Sequence, residues 1–303
     1  MASLKELRGR LSSVKSTEKI TTAMKLVAAS RLRKATSALE KNKNYALLIE
    51  NTVKRILISY KNEEIEKKIK HILPQLLTEK THPQNYVLLV FSSERGLCGS
   101  YNQNIAKATD NRIHELQKEG KNIKIICYGK KAYNILKKNH KELIVHHEAS
   151  FAGGGIFYEE AIQILEKIKS LTKSINFDTC EIVHSRFKSA ISRNIQPMQL
   201  LPLKIELHEE DESLDHIESA YFDYKPSRYE VLKTASDKLI INRIFEAMLN
   251  AEASEQGARM MAMDNATQNA KEMIDNLTLK YNTLRQSAIT TELTEIISGA
   301  EAI

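Results

Sequence analysis

The residues best equipped for chemistry lie near the middle of this 303-residue chain. "FSSERGLCGSYN" (91–102) places Gly96 and Gly99 in a turn that follows a β-type run and opens a helical one. Helix N-termini carry free backbone N–H groups and bind phosphate, so a nucleotide would sit here if anywhere. The stretch lacks the third glycine of a dinucleotide fingerprint and the Gly-Lys-Ser/Thr of a phosphate loop. It reads as a tight strand-to-helix turn, and Gly153–Gly154–Gly155 reads as a loop. Cys98 would need a neighbouring base to become a nucleophile. No histidine is paired with it by spacing, so a buried thiol is expected. His146 and His147, with His140 and Glu148 close by, are residue types that ligate metals. Adjacent strand residues face opposite ways, which keeps the two imidazoles off one ion. Cys98, Cys127 and Cys180 form no CxxC pair, which argues against a zinc site or a disulfide framework and suits a reducing compartment. No cofactor, metal or catalytic constellation is expected.

The elements that would position these residues follow from where helix breakers fall. All five prolines (Pro74, Pro83, Pro197, Pro202 and Pro226) lie outside 1–73 and 227–303, and seven of ten glycines lie between 96 and 155. The chain therefore reads as long helix, α/β centre, long helix. Residues 4, 7, 11 and 14 are Leu, Leu, Leu and Val. The same 3–4 spacing resumes at Ala28, Leu32, Ala35 and Leu39 and reaches Ile56. Between them the seam positions 18, 21 and 25 are Glu, Thr and Lys, and the apolar residues Ile20, Met24 and Val27 move to another face. The seam is thus expected to break at 18–25. At the other end Leu239, Ile244, Met248 and Ala251 lead to Ala266, Ala270, Met273, Leu277, Tyr281, Leu284 and Ala288. Helices of about 55 and 70 residues would be roughly 80 and 105 Å long, so they are expected to wrap on each other as an antiparallel coiled coil.

The centre has another rhythm. Strands are expected at 85–91, 123–129, 142–148 and 179–187, alternating with helices at 101–119, 130–139 and 157–174, which implies a parallel α/β sheet. The expected fold class is α/β: an antiparallel coiled coil of the terminal helices plus a central Rossmann-like domain. The expected division is 1–60 N-terminal helix, 61–83 linker, 84–206 α/β domain, 207–229 acidic connection and 230–303 C-terminal helix.

Charge separates the ends. Residues 1–60 hold 13 Lys/Arg and four Glu, whereas 227–303 hold eight Lys/Arg and 11 Asp/Glu, and 206–223 hold eight acids without Lys or Arg. The basic helix has no aromatic residue before Tyr45, hence no base-stacking platform, and nucleic-acid binding is not expected. The Lys/Arg- and Ser-rich N-terminus is interrupted by Glu6 and Glu18 and reads as mature protein. No apolar run approaches the ~18 residues of a membrane span. One stretch resists this scheme. "NTLRQSAITTELTEIISGAEAI" (282–303) has no basic residue after Arg285, carries Glu292, Glu295 and Glu301, and repeats apolar residues at helical spacing. Helix C-termini favour cations, so this end is wrongly charged for a free helix.

Several stretches resemble one family. "SLKELRGRLSSVKSTEKITTAMKLVAASRLRKA" (3–35), "SSERGLCGSYN" (92–102), "MMAMDNATQNA" (260–270) and "RQSAITTELTEIISGA" (285–300) are similar to the γ subunits of F-type ATP synthases. Glu94 stands where that family typically has Asp, and Ser100 where a second Gly is usual. No cysteine pair of the chloroplast type is inserted. The resemblance implies a rotor, with the coiled coil inside a hexamer of α and β subunits. The α/β domain would form a foot on the ε subunit and the c-ring, and catalysis would be left to α and β. It implies β-subunit contacts at Met24, Arg285, Gln286 and Thr290. It also implies an apolar collar contact at Ile289, Leu293, Ile296, Ile297 and Ile303, and ε or c-ring contact at Phe222 and Tyr224. It places the chain peripherally on the cytoplasmic face of a bacterial inner membrane, in preference to the mitochondrial matrix side. The alternative reading is a stand-alone coiled-coil scaffold with an α/β regulatory domain.

Overall fold

The computed structural model describes residues 4–61, 82–149, 156–175, 177–189, 193–205 and 223–301. The chain divides into two compact units, one of Met1–Ser30 with Arg259–Ile303 and one of Arg31–Ala258. Two helices contribute to both: α1 (Leu4–Lys61) and α5 (Arg228–Glu301).

The larger unit holds β1 (Asn85–Phe91), α2 (Tyr101–Lys118), β2 (Asn122–Tyr128), α3 (Lys130–His140), β3 (Ile144–Glu148), α4 (Tyr158–Ile175), β4 (Thr179–Phe187) and β5 (Arg193–Leu201). Strand order is β3-β2-β1-β4-β5. The first four strands are parallel, and β5 runs antiparallel to β4. Strand β1 reads as a near-continuous apolar run, and β4 is buried from Thr179 to Ser185, because helices cover both faces. The four expected strands and three expected helices of the centre are present. Strand β5 was not anticipated from "RNIQPMQLL", where Pro197 argues against a ladder position. It is an edge strand, and a proline can sit there because one side of the backbone needs no donor.

Alternate residues of each strand feed two cores. On one face Leu89, Phe91, Ile126 and Ile182 pack with Val53 and Ile56 of α1, Ile164 and Ile168 of α4, and Ile244 and Met248 of α5. On the other, Leu88, Val90, Ile125 and Cys127 pack with Ile105, Ile113 and Leu116 of α2 and Leu136 of α3. One charge enters the sheet. Glu181 of β4 is 8% exposed and is held in a two-pronged contact by Arg112 of α2, Nε to Oε2 at 2.8 Å and an Nη to Oε1 at 2.6 Å. The fork matches the carboxylate, so the charge is buried with its donors in place.

The smaller unit is a pair of helical segments. Its α1 half turns inward at Leu4, Leu7, Leu11, Val14, Glu18, Thr21, Lys25 and Ala28. Its α5 half does so at Met263, Thr267, Ala270, Ile274, Leu277, Tyr281, Leu284 and Ala288. Both follow unbroken 3–4 spacing. The seam break expected at 18–25 is therefore a change in residue type and not in packing. Thr21 is 8% exposed, while Ile20 and Val27 are 57% and 54% exposed. Polar residues keep the seam there because they find partners across it. Thr21 Oγ1 lies 2.8 Å from Thr267 Oγ1, and Lys25 Nζ donates to Asp264 Oδ1 at 2.6 Å.

Candidate functional site

Beyond the carboxyl ends of β1 and β2 the chain packs on itself. Ser92 Oγ donates to the Gly129 carbonyl at 3.1 Å and accepts from the Ala132 N–H at 3.2 Å, tying the start of α3 to the end of β1. Asn102 Oδ1 accepts from the Ser93 N–H at 3.1 Å, and its Nδ2 donates to Cys98 Sγ at 3.1 Å. Ser93, Cys98 and Asn102 are all buried. Leu97 takes the left-handed conformation, φ 64°, that closes the turn. Glu94 Oε2 accepts from the Lys130 N–H at 3.2 Å, at the start of α3. The polar groups of "FSSERGLCGSYN" thus build a turn and no cradle. The thiols are spent on packing too. Burial pushes Cys127 up to about 12 and raises Cys180 further, so both stay protonated.

The histidines part company. The His147 ring stacks on Tyr133 with centroids 3.9 Å apart, His146 Nε2 lies 3.4 Å from Glu148, and His140 Nε2 meets Asp110 at 2.6 Å. Among the described residues no three His, Cys, Asp or Glu side chains are placed to hold a metal ion. Among them, too, no helix is long and apolar enough to cross a membrane. Gly153–Gly154–Gly155 lies outside the described residues, as do Phe222 and Ile303.

The remaining candidates are surfaces, and the helix pair carries them. Reading the antiparallel register outward from Thr21–Thr267 brings Leu7 opposite Tyr281 and Leu4 opposite Leu284. The partner helix then ends. Burial follows this arithmetic: Ala288 is the last half-buried residue, and 289–300 are all exposed. The apolar stripe also changes phase. Seam spacing continued past Ala288 falls on Thr291, Glu295 and Ser298, whereas the apolar residues are Ile289, Leu293, Ile296 and Ala300. That is one to two residues later, or roughly 150° around the helix. Ile289, Leu293, Ile296 and Ile297 are 47–67% exposed. A stripe turned off the seam is built for another surface.

Arg285, Gln286 and Thr290 are exposed on the same turns, so both sets expected in the tail share one surface. Thr290 Oγ1 donates to the Gln286 carbonyl at 2.9 Å, which leaves its oxygen lone pairs and methyl outward. Met24 lies far from them. Its neighbour Lys25 pairs with Asp264, 21 residues before Arg285, or roughly 30 Å along the helix. Half-buried Met24 heads a second apolar strip with exposed Ile20 and Val27 at i−4 and i+3. Tyr224 belongs to the larger unit, half-buried against its core, with the Arg228 guanidinium 5.6 Å from the ring centroid. Sequence reasoning missed Thr21, Lys25, Asp264 and Thr267. The available signal was that 3–4 spacing runs through the polar positions without a skip.

With this geometry described, comparison with known proteins is informative. A family model described as ATP synthase matches residues 3–303. An ATP synthase gamma chain of Pelagibacter ubique is 40% identical over 303 residues, and that of Rhizobium etli 41% over 304, each covering all of both chains. Among solved structures, the chain is similar to one in the Tetrahymena thermophila mitochondrial ATP synthase central stalk/c-ring. The TM-score is 0.60 at 25% identity, covering 82% of this chain and 99% of that one. It shares its fold with a chain of the Euglena gracilis mitochondrial ATP synthase, at TM-score 0.66 and 18% identity, over 99% and 94% of the two chains.

Proposed function

The chain belongs to the family of ATP synthase gamma chains, and from that premise we propose that it is the central rotor stalk of an F-type ATP synthase. In this role it transmits rotation of a c-ring to a catalytic hexamer of α and β subunits, coupling proton translocation to ATP synthesis and hydrolysis. The observation that carries the reading is the tail. Twelve consecutive exposed residues, 289–300, follow the point where the partner helix ends, and their apolar stripe has turned off the seam. Such a surface needs a sleeve made by other chains. Contacts that are mostly apolar and shallow suit a part that must turn, because no orientation is then strongly preferred.

Within this reading 1–60 and 230–303 form the stalk and 84–206 the foot that meets ε and the c-ring, through Phe222 and Tyr224 among others. The linker 61–83 and the acidic 207–229 connect them. Met24, with Ile20 and Val27, meets the lever segment of β. Arg285, Gln286 and Thr290 make polar, orientation-dependent contacts with β, and Ile289, Leu293, Ile296, Ile297 and Ile303 bear on the collar. The chain is non-catalytic, and the self-packed turn 91–102 after β1 supports that reading. It associates peripherally, through the c-ring, with the cytoplasmic face of a bacterial inner membrane. A pull-down of tagged chain with quantified stoichiometry tests the assignment. The expected result is one copy per αβ hexamer, with ε bound. Recovery of the chain alone, fully folded and free of α and β, would overturn it in favour of a stand-alone scaffold. Arg285→Ala should weaken ATP synthesis by the assembled complex while leaving the chain folded. Unchanged synthesis would remove the catch role.

A further inference from the structure

We propose that Thr21–Thr267 and Lys25–Asp264 fix the axial register of α1 against α5, so that neither helix slides along the other when the pair is loaded. The two contacts bridge 246 and 239 residues of sequence at 2.8 and 2.6 Å. Both threonines are buried, at 8% and 7% exposure. Thr21 also faces the Glu18 carbonyl at 3.0 Å and Thr267 the Met263 carbonyl at 2.8 Å. Two hydroxyl protons therefore serve the cross-helix bond and one of these carbonyls at a time, and neither oxygen is left without a partner.

The rest of this seam specifies register weakly. Leu4, Leu7, Leu11 and Val14 lie opposite Leu284, Tyr281, Leu277 and Ile274, and apolar attraction is non-directional. Sliding by one heptad, about 10 Å, still sets Leu11 against Leu284 and Val14 against Tyr281. The polar layers distinguish the registers. In that slip Thr21 meets Ile274 and Lys25 meets Ala270. In the opposite slip Thr267 meets Val14 and Thr21 meets Met260. Each removes the cross-helix partner of a buried hydroxyl and takes Lys25 away from Asp264. Polar residues at seam positions are the known device for choosing one register among several apolar ones, at some cost in stability. A one-heptad slip would also carry the 285–300 surface about 10 Å along the axis and away from whatever surface seats it.

The register claim stands on this geometry, and its effect on coupling rests on the proposed function. The test uses the full chain in its assembled complex. Two reporter pairs are built, Leu11→Cys with Leu277→Cys for the observed register and Leu11→Cys with Leu284→Cys for the slipped one. In the otherwise native chain only the first should crosslink on mild oxidation. With Thr21→Val, Lys25→Leu, Asp264→Leu and Thr267→Val, crosslinking of the second should rise at least tenfold and ATP made per proton translocated should fall. The exchange Lys25→Asp with Asp264→Lys provides a milder second variant. It should restore single-register crosslinking that either reversal alone loses. A fourfold variant that still crosslinks only through Leu277→Cys, or single reversals as faithful as the exchange, would overturn the proposal. Slipped crosslinking with intact coupling would uphold the register assignment and instead contradict the rotor reading of this helix pair.

Discussion

Gly129 marks where the chain leaves β2 for α3, at φ 103°, and a Cβ there would stand 2.2 Å from the Ser92 carbonyl oxygen. Backbone cannot yield as a flexible side chain would, so Gly129→Ala is expected to cost more than about 2 kcal/mol, read as a lowered urea midpoint. A second residue-scale prediction concerns pH. His184 on β4 is 6% exposed, and its Nδ1 has no hydrogen-bond partner. Burial, with a smaller contribution from Arg186, pushes its pKa down to about 4. The unfolded chain titrates the same imidazole near 6.5. Between these values the unfolded state holds more protons, so stability rises with pH through that window. The His184 contribution is complete above pH 6.5 and is lost on acidification towards 4, by roughly 3 kcal/mol in all. His184→Gln should flatten this slope in urea titrations at stepped pH. An unchanged slope would mean that His184 is already charged in the fold.

At the scale of elements, the Arg112–Glu181 fork joins α2 to β4. Glu181→Leu leaves the Arg112 guanidinium with Glu115 alone, 3.0 Å away, and should cost about 2 kcal/mol. Adding Arg112→Met should recover most of that, because an apolar pair of similar volume needs no desolvated partner. A double-mutant cycle by chemical denaturation reads both, and additive losses would show the fork to be incidental. Strands β1 and β2 were legible as short runs of Val, Ile and Leu set between helical periods, whereas β3 and β4 carry a weaker signal because polar residues interrupt them. Strand β5 was not legible, since Pro197 and four polar residues hide an edge strand whose one paired side is all it needs. The tail was legible as a misfit from its charges and period alone. The polar layers at Thr21 and Lys25 were misread as a break because residue type outweighed spacing. The contact that makes a buried threonine acceptable sits 246 residues away, beyond any local pattern.

Taken whole, the molecule combines an α/β unit with two buried cores and a helix pair whose outer surface is unfinished. Substitutions on the two should therefore separate cleanly. Ile296→Ser removes a side chain that is 67% exposed, so melting of the isolated chain should move by no more than about 0.5 kcal/mol. Co-purification with α and β should drop several-fold, and intact recovery would show that the stripe bears no load in assembly. The phase change after Ala288 also bears on how the cell counts its copies. A chain without partners displays four large aliphatic side chains in a row near its end, the kind of signal that chaperones and proteases sample. In the proposed role, assembly would hide the signal. Surplus copies would stay visible to degradation while installed ones escape it, so that the supply of this chain is matched to the supply of its partners after synthesis.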